Sequence, residues 1–221
     1  MNAFFTILAA LLLIFIVWQA RTVLPRIVSF LLPVKRHLYF EDDLQKPAEA
    51  AKRETLRPVI EKLESLGFKP LGMMVEKFPL WAGTSREITM VSPVVKTIAS
   101  LGFRRRKPSY FFYTPFTGGE VVITSYNSFR DFTKDDFVTT VVPSGEPSEM
   151  LEIHQKQVEK FMALGYTPFT DYTRDSVITA TRLYYDSLYP KQQLRIAGLF
   201  NLLFFIVCLF LLAILIRSAM G

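Results

Sequence analysis

Ile196 to Ile216 reads IAGLFNLLFFIVCLFLLAILI, and Ala3 to Ala20 reads AFFTILAALLLIFIVWQA; the thiol of Cys208 is the only ionisable side chain in either. At about 1.5 Å per residue these helices reach roughly 31 and 27 Å, close to the hydrocarbon thickness of a bilayer. Leu, Phe and Ile continue around every face of the later stretch, as in a membrane span and unlike a surface helix. A cleaved leader is the rival for the earlier one. Against it stand the missing basic n-region, the length of the run and Trp18 three residues before a cut after Ala20.

Between these stretches the composition changes. Of 26 Lys and Arg residues, all but Arg217 lie from Arg21 to Arg195, as do all 20 Asp and Glu residues. A chain of 221 residues therefore has room for one polar domain between two apolar helices. The reading is residues 1–21 as a first transmembrane helix, 22–38 as an interfacial segment, 39–190 as the domain, and 191–221 as a second transmembrane helix and tail. In TVLPRIVSFLLPVKRH, from Thr22 to His37, Pro25 and Pro33 argue against a regular extension of the first helix, and Arg26, Lys35 and Arg36 suit headgroup contact.

The basic flanks orient the chain. Arg21, Arg26, Lys35, Arg36, Arg182, Lys191 and Arg195 lie on the domain side, and Arg217 alone lies beyond. The positive-inside rule then predicts a two-pass protein of a bacterial inner or organellar membrane, its domain cytoplasmic and both termini outside. A single cysteine excludes an intrachain disulfide.

Within the domain, IEKLESLGFKPL at Ile60 to Leu71 and VEKFMALGYTPF at Val158 to Phe169 share a helix that ends in glycine and turns extended. Pro147 suits the first turn of the later helix, and Pro58 is expected in the first turn of the earlier one or at a kink. Leu101-Gly102-Phe103 looks like a third such turn. Strands are read at Lys69 to Phe78, Arg86 to Val91, Ser109 to Thr114, Glu120 to Tyr126 and Phe137 to Val142. Thr117-Gly118-Gly119 marks a hairpin. Val177 to Tyr185 reads equally as strand or helix. Strands in a run with helices before and after predict an α+β fold, an antiparallel sheet covered by helices.

Chemical signatures are sparse. His37 belongs with the basic flank; His154 shares a helical face with Leu151, Val158 and Phe161 and reads as a core-edge residue with one hydrogen bond. Leu151 stands where a Glu-x-x-His metal motif needs glutamate. Glu41-Asp42-Asp43 and Asp131 with Asp135-Asp136 do not follow a calcium-loop spacing, and no phosphate loop, nucleophile elbow or dinucleotide fingerprint is present. No cofactor is expected. Arg104-Arg105-Arg106-Lys107 is the one concentrated charge, read as a loop between a helix and a strand that meets anionic headgroups or an acidic partner; the domain is too mildly basic to suggest nucleic acid. Tyr110 to Tyr113 place aromatics on both faces of one strand, which is therefore buried on both. Asn201 offers an amide within the second span, for a neighbouring helix or for its own chain.

These observations favour a non-catalytic accessory or scaffolding subunit of a membrane assembly, with membrane lipids and other membrane protein subunits as partners. The alternatives are a surface module binding anionic lipid or another amphiphile, favoured by a closed apolar cavity with a basic mouth, and an enzyme with an unrecognised carboxylate or tyrosine site, favoured by buried convergent carboxylates.

Overall fold

The computed structural model describes residues 3–31, 37–41, 47–77, 83–104, 106–127, 131–134, 137–186 and 188–220. The chain divides into two compact units. One comprises Met1–His37, Lys77–Thr84 and Leu188–Gly221; the other comprises Leu38–Glu76 and Ser85–Ser187.

The first unit is built on two long apolar helices, α1 (Ala3–Leu31) and α5 (Leu188–Met220), which pack on one another. Each is long and apolar enough to cross a membrane. On α1 the less exposed residues include Phe5, Ala9, Leu12, Ile16, Gln19 and Val23; on α5 they include Gly198, Asn201, Phe205, Cys208, Leu212, Leu215 and Ala219. Both stripes advance by alternating steps of three and four, the spacing of a left-handed coiled-coil seam. Ala9, Gly198 and Ala219 let the backbones approach, and Phe15 meets Phe204 at a centroid distance of 6.4 Å. Most large side chains off the seam, Ile14, Trp18, Phe200 and Phe210 among them, are exposed.

The first helix, expected to end at residue 21, runs on: α1 continues through Pro25 to Leu31. Proline removes one backbone donor from the helix, and flanking apolar contacts compensate for a single loss. Buried Val23 and Ile27 sit on either side of it.

The second unit holds a sheet in the order β1-β2-β3-β4-β5-β6-β8-β7. Its strands are β1 (His37–Glu41), β2 (Lys69–Lys77), β3 (Thr84–Ser92), β4 (Thr97–Arg104), β5 (Lys107–Pro115), β6 (Val121–Tyr126), β7 (Phe132–Lys134) and β8 (Phe137–Val141). From β3 to β6 the neighbours are antiparallel; β6 and β8 are parallel, because β7 intervenes in the chain and pairs on the outer side of β8. The α+β class, an antiparallel sheet covered by helices, follows.

Helices α2 (Pro47–Ser65) and α3 (Pro147–Ala163) cover one face. Leu56 and Leu63 of α2 and Met150 and Leu151 of α3 close over Met90, Leu101, Tyr110 and Phe112. A second cluster joins Val158 and Phe161 of α3 to Phe116, Val122 and Val138. On the opposite face lies α4 (Arg174–Asp186), with Val177 and Ala180 buried. The aromatic strand β5 is thus core on both sides, as its alternation predicts.

Both glycine-ended helices finish identically. Gly67 and Gly165 have φ of 85° and 93°. In each, the glycine N–H donates to the carbonyl three residues back (Glu64, Met162), and the next residue donates five back (Phe68 to Leu63, Tyr166 to Phe161). This is the Schellman pattern, with the accompanying hydrophobic contact present as Tyr166 against Phe161 at 5.4 Å.

Three expectations are corrected. Leu101-Gly102-Phe103 lies inside strand β4 and ends no helix. The basic run does not follow a helix: Arg104 ends β4 opposite Lys107, which begins β5, and Arg106 lies in the turn before it. Helix α2 starts at Pro47, so Pro58 lies in its interior and the first-turn alternative falls. Val177 to Tyr185, undecided from sequence, is helical because Val177, Ala180 and Thr181 bury one face at helical spacing.

Candidate functional site

The sheet brings polar groups together on each face. Beneath α3, His154 is fully buried between strands β5 and β6, where the sequence suggested an edge position with one hydrogen bond. Its Nε2 lies 2.9 Å from Thr114 Oγ1 and its Nδ1 3.1 Å from Thr124 Oγ1. The Thr114 hydroxyl donates its one proton to the Lys96 carbonyl at 2.8 Å. It therefore accepts from His154, whose neutral ring carries the proton on Nε2 and accepts from Thr124 at Nδ1. Burial holds the imidazole pKa down to about 3. A ring already neutral and saturated by two hydroxyls is structural rather than a base.

Beneath α4 the arrangement differs. Glu87 (β3), Ser100 (β4) and Tyr113 (β5) share that face, and the Ser100 hydroxyl donates to a Glu87 carboxylate oxygen. Burial is the main cause that raises the Glu87 pKa; the Ser100 bond opposes it, and the charge of Glu76 on β2 adds to it. Glu76 in turn accepts from the Tyr185 hydroxyl of α4 at 3.0 Å. Tyr113 donates to Thr181 Oγ1 at 3.4 Å, since the Thr181 hydroxyl itself donates to the Val177 carbonyl. Burial, partly offset by that bond, also lifts the Tyr113 phenol pKa. Thr89, fully buried, stands directly opposite Ser100 and two residues along from Glu87. Its Oγ1, with Ser92 Oγ on the other face, is a buried hydroxyl oxygen without a hydrogen-bond partner among the described residues.

Gly102 belongs to this group by its lack of a side chain. A Cβ there would lie 3.2 Å from Glu87 Cγ, so the glycine that resembled a helix stop makes room for the glutamate. None of Glu87, Thr89 and Ser100 carries a sequence signature. Their convergence depends on the β3–β4 register, and β4 itself is concealed by its Leu-Gly-Phe.

The residues singled out from sequence are dispersed. Arg104, Arg106 and Lys107 are exposed at the hairpin, with Arg106 at φ 66° and Arg104 Nη1 3.5 Å from the Asn127 carbonyl. Arg105, Lys35 and Arg36 lie outside the described residues, and Arg26 is placed on α1. Asn201 lies on the α5 seam, and its amide nitrogen donates to the Ala197 carbonyl at 2.5 Å, within its own helix. Of the acidic clusters, Glu41 joins Arg86 at 3.3 Å and Asp131 accepts from the Val141 N–H at 2.6 Å; Asp42, Asp43, Asp135 and Asp136 lie outside the described residues. Among the described residues, no three His, Cys, Asp or Glu side chains cluster as metal ligands. No protein-family model, curated protein or solved structure matches this chain.

Proposed function

We propose that the chain is a two-pass membrane protein in which α1 and α5 anchor the α+β domain at the membrane surface, and that the domain serves a membrane assembly as an accessory or scaffolding subunit without catalysis. The observation that carries this reading is the helix pair. Ala9, Gly198, Asn201 and Cys208 lie on one seam with apolar neighbours such as Ile16 and Leu212, while bulky apolar side chains such as Ile14, Trp18, Phe200 and Phe210 are exposed. Such a perimeter suits lipid. Asn201 commits one of its two amide protons to its own helix.

The basic flanks favour a cytoplasmic domain. The test has two parts. After alkaline carbonate washing of native membranes the full chain should stay in the pellet, and cross-linking before solubilisation should join the domain to another membrane subunit at fixed stoichiometry. Release by carbonate, or adducts only with itself, would remove the reading.

A second reading is favoured by the hairpin between β4 and β5, where exposed Arg104, Arg106 and Lys107 concentrate positive charge. Each basic group near an anionic surface contributes about 1 kcal/mol. The full chain, labelled with a polarity-sensitive dye at Arg106→Cys in nanodiscs, should report contact with anionic lipid that salt reverses. Identical emission in neutral and anionic nanodiscs would dismiss it.

A further inference from the structure

We propose that Glu87, Glu76, Thr89 and Ser100 form a site for a hard divalent cation on the α4-covered face of β2, β3 and β4. Three observations converge on it. Glu87 is a carboxyl on a buried face, and the charged neighbour acting most on it is a second carboxylate, Glu76. Thr89 Oγ1 is buried on that face with no hydrogen-bond partner among the described residues, directly across the ladder from Ser100. Gly102 leaves the space that the Glu87 side chain occupies.

A buried hydroxyl without a partner among the described residues is costly, and the charge of Glu76 disfavours ionised Glu87. A cation relieves both at once. The donors are carboxylate and hydroxyl oxygens, with neither imidazole nor thiolate, so the chemistry selects calcium-like or magnesium-like ions over zinc or copper. Two carboxylate charges match one divalent ion. Bound there, the ion would tie β2 to β3 beneath the helix whose Tyr185 already grips Glu76.

Terbium provides the probe, because Tyr113 and Tyr185 border the site and transfer excitation to a lanthanide. The full chain in detergent, stripped with chelator, should show tyrosine-sensitised terbium emission that saturates and is displaced by Ca2+ or Mg2+. Emission should fall at least tenfold in Glu87→Gln and in Thr89→Val, and persist in Glu152→Gln, a change on the exposed surface of α3. Thr89→Val guards against misfolding, since it replaces an unpartnered hydroxyl with a methyl of the same shape. Absent emission, emission that neither Ca2+ nor Mg2+ displaces, or emission unchanged in Thr89→Val would overturn the site.

Discussion

His154 Nε2 donates to Thr114 Oγ1 across 2.9 Å, and that hydroxyl passes its own proton to the Lys96 carbonyl, so the order of donors along this buried chain is set by one backbone acceptor. The ring is neutral, and its pKa in the fold, about 3, is below the ordinary value of 6.5. The unfolded chain therefore takes up a proton first as pH falls. Stability is present in full above pH 6.5 and declines from there towards pH 3, by roughly 1.4 kcal/mol per unit once the unfolded histidine is charged. Thermal unfolding of the full chain at pH 7, 6 and 5 should show this slope, and His154→Gln, which keeps a donor and an acceptor without titrating, should flatten it. Equal slopes for both proteins would show that His154 does not set the acid limit.

Gly67 and Gly165 predict a cost of backbone origin. An added Cβ at either meets nothing within 4 Å, so substitution acts through the positive φ and not through crowding. Gly165→Ala should destabilise the chain by about 1 kcal/mol and Gly165→Val by roughly 1 to 2 kcal/mol, measured by denaturant unfolding. Losses that track side-chain volume steeply, or no loss with alanine, would contradict the left-handed cap.

Gly102 predicts the opposite origin. Its Cβ would press on Glu87 Cγ at 3.2 Å, so Gly102→Ala should destabilise wild type and cost less once Glu87 is shortened to Ala. A double-mutant cycle should give a coupling of about 0.5 to 1 kcal/mol, as expected for residues in contact. Additive effects would mean that the glutamate moves aside freely.

The contrast between these glycines explains what the sequence discloses. Leu63 to Phe68 and Phe161 to Tyr166 are local motifs whose every hydrogen bond closes within six residues, so residue order suffices to find them. The β5 aromatics likewise announce burial through alternation alone. Leu101-Gly102-Phe103 has the same letters, but its meaning comes from Glu87 on a neighbouring strand. The carboxylate and hydroxyl group beneath α4 is hidden for that reason: Thr89 meets Ser100 through cross-strand register, which no short window contains. Pro25 misled in another way, because an isolated helix suffers from proline while α1 is supported by packing along its seam.

Topology supplies the last test, because two crossings place both termini on one side and the domain on the other. Cys208 is buried, on the seam between α1 and α5, so the native thiol should contribute little background to labelling from water. Thr117 is exposed in the β5–β6 turn, and Ser218 is exposed near the end of α5. In intact cells a membrane-impermeant thiol reagent should label Ser218→Cys and spare Thr117→Cys; after permeabilisation Thr117→Cys should label too. Labelling of Thr117→Cys alone in intact cells would turn the chain over, with the domain outside and the basic flanks overridden by its translocation. Labelling of both would show that α1 and α5 do not both cross, and the seam would then be a pairing of helices at one membrane surface.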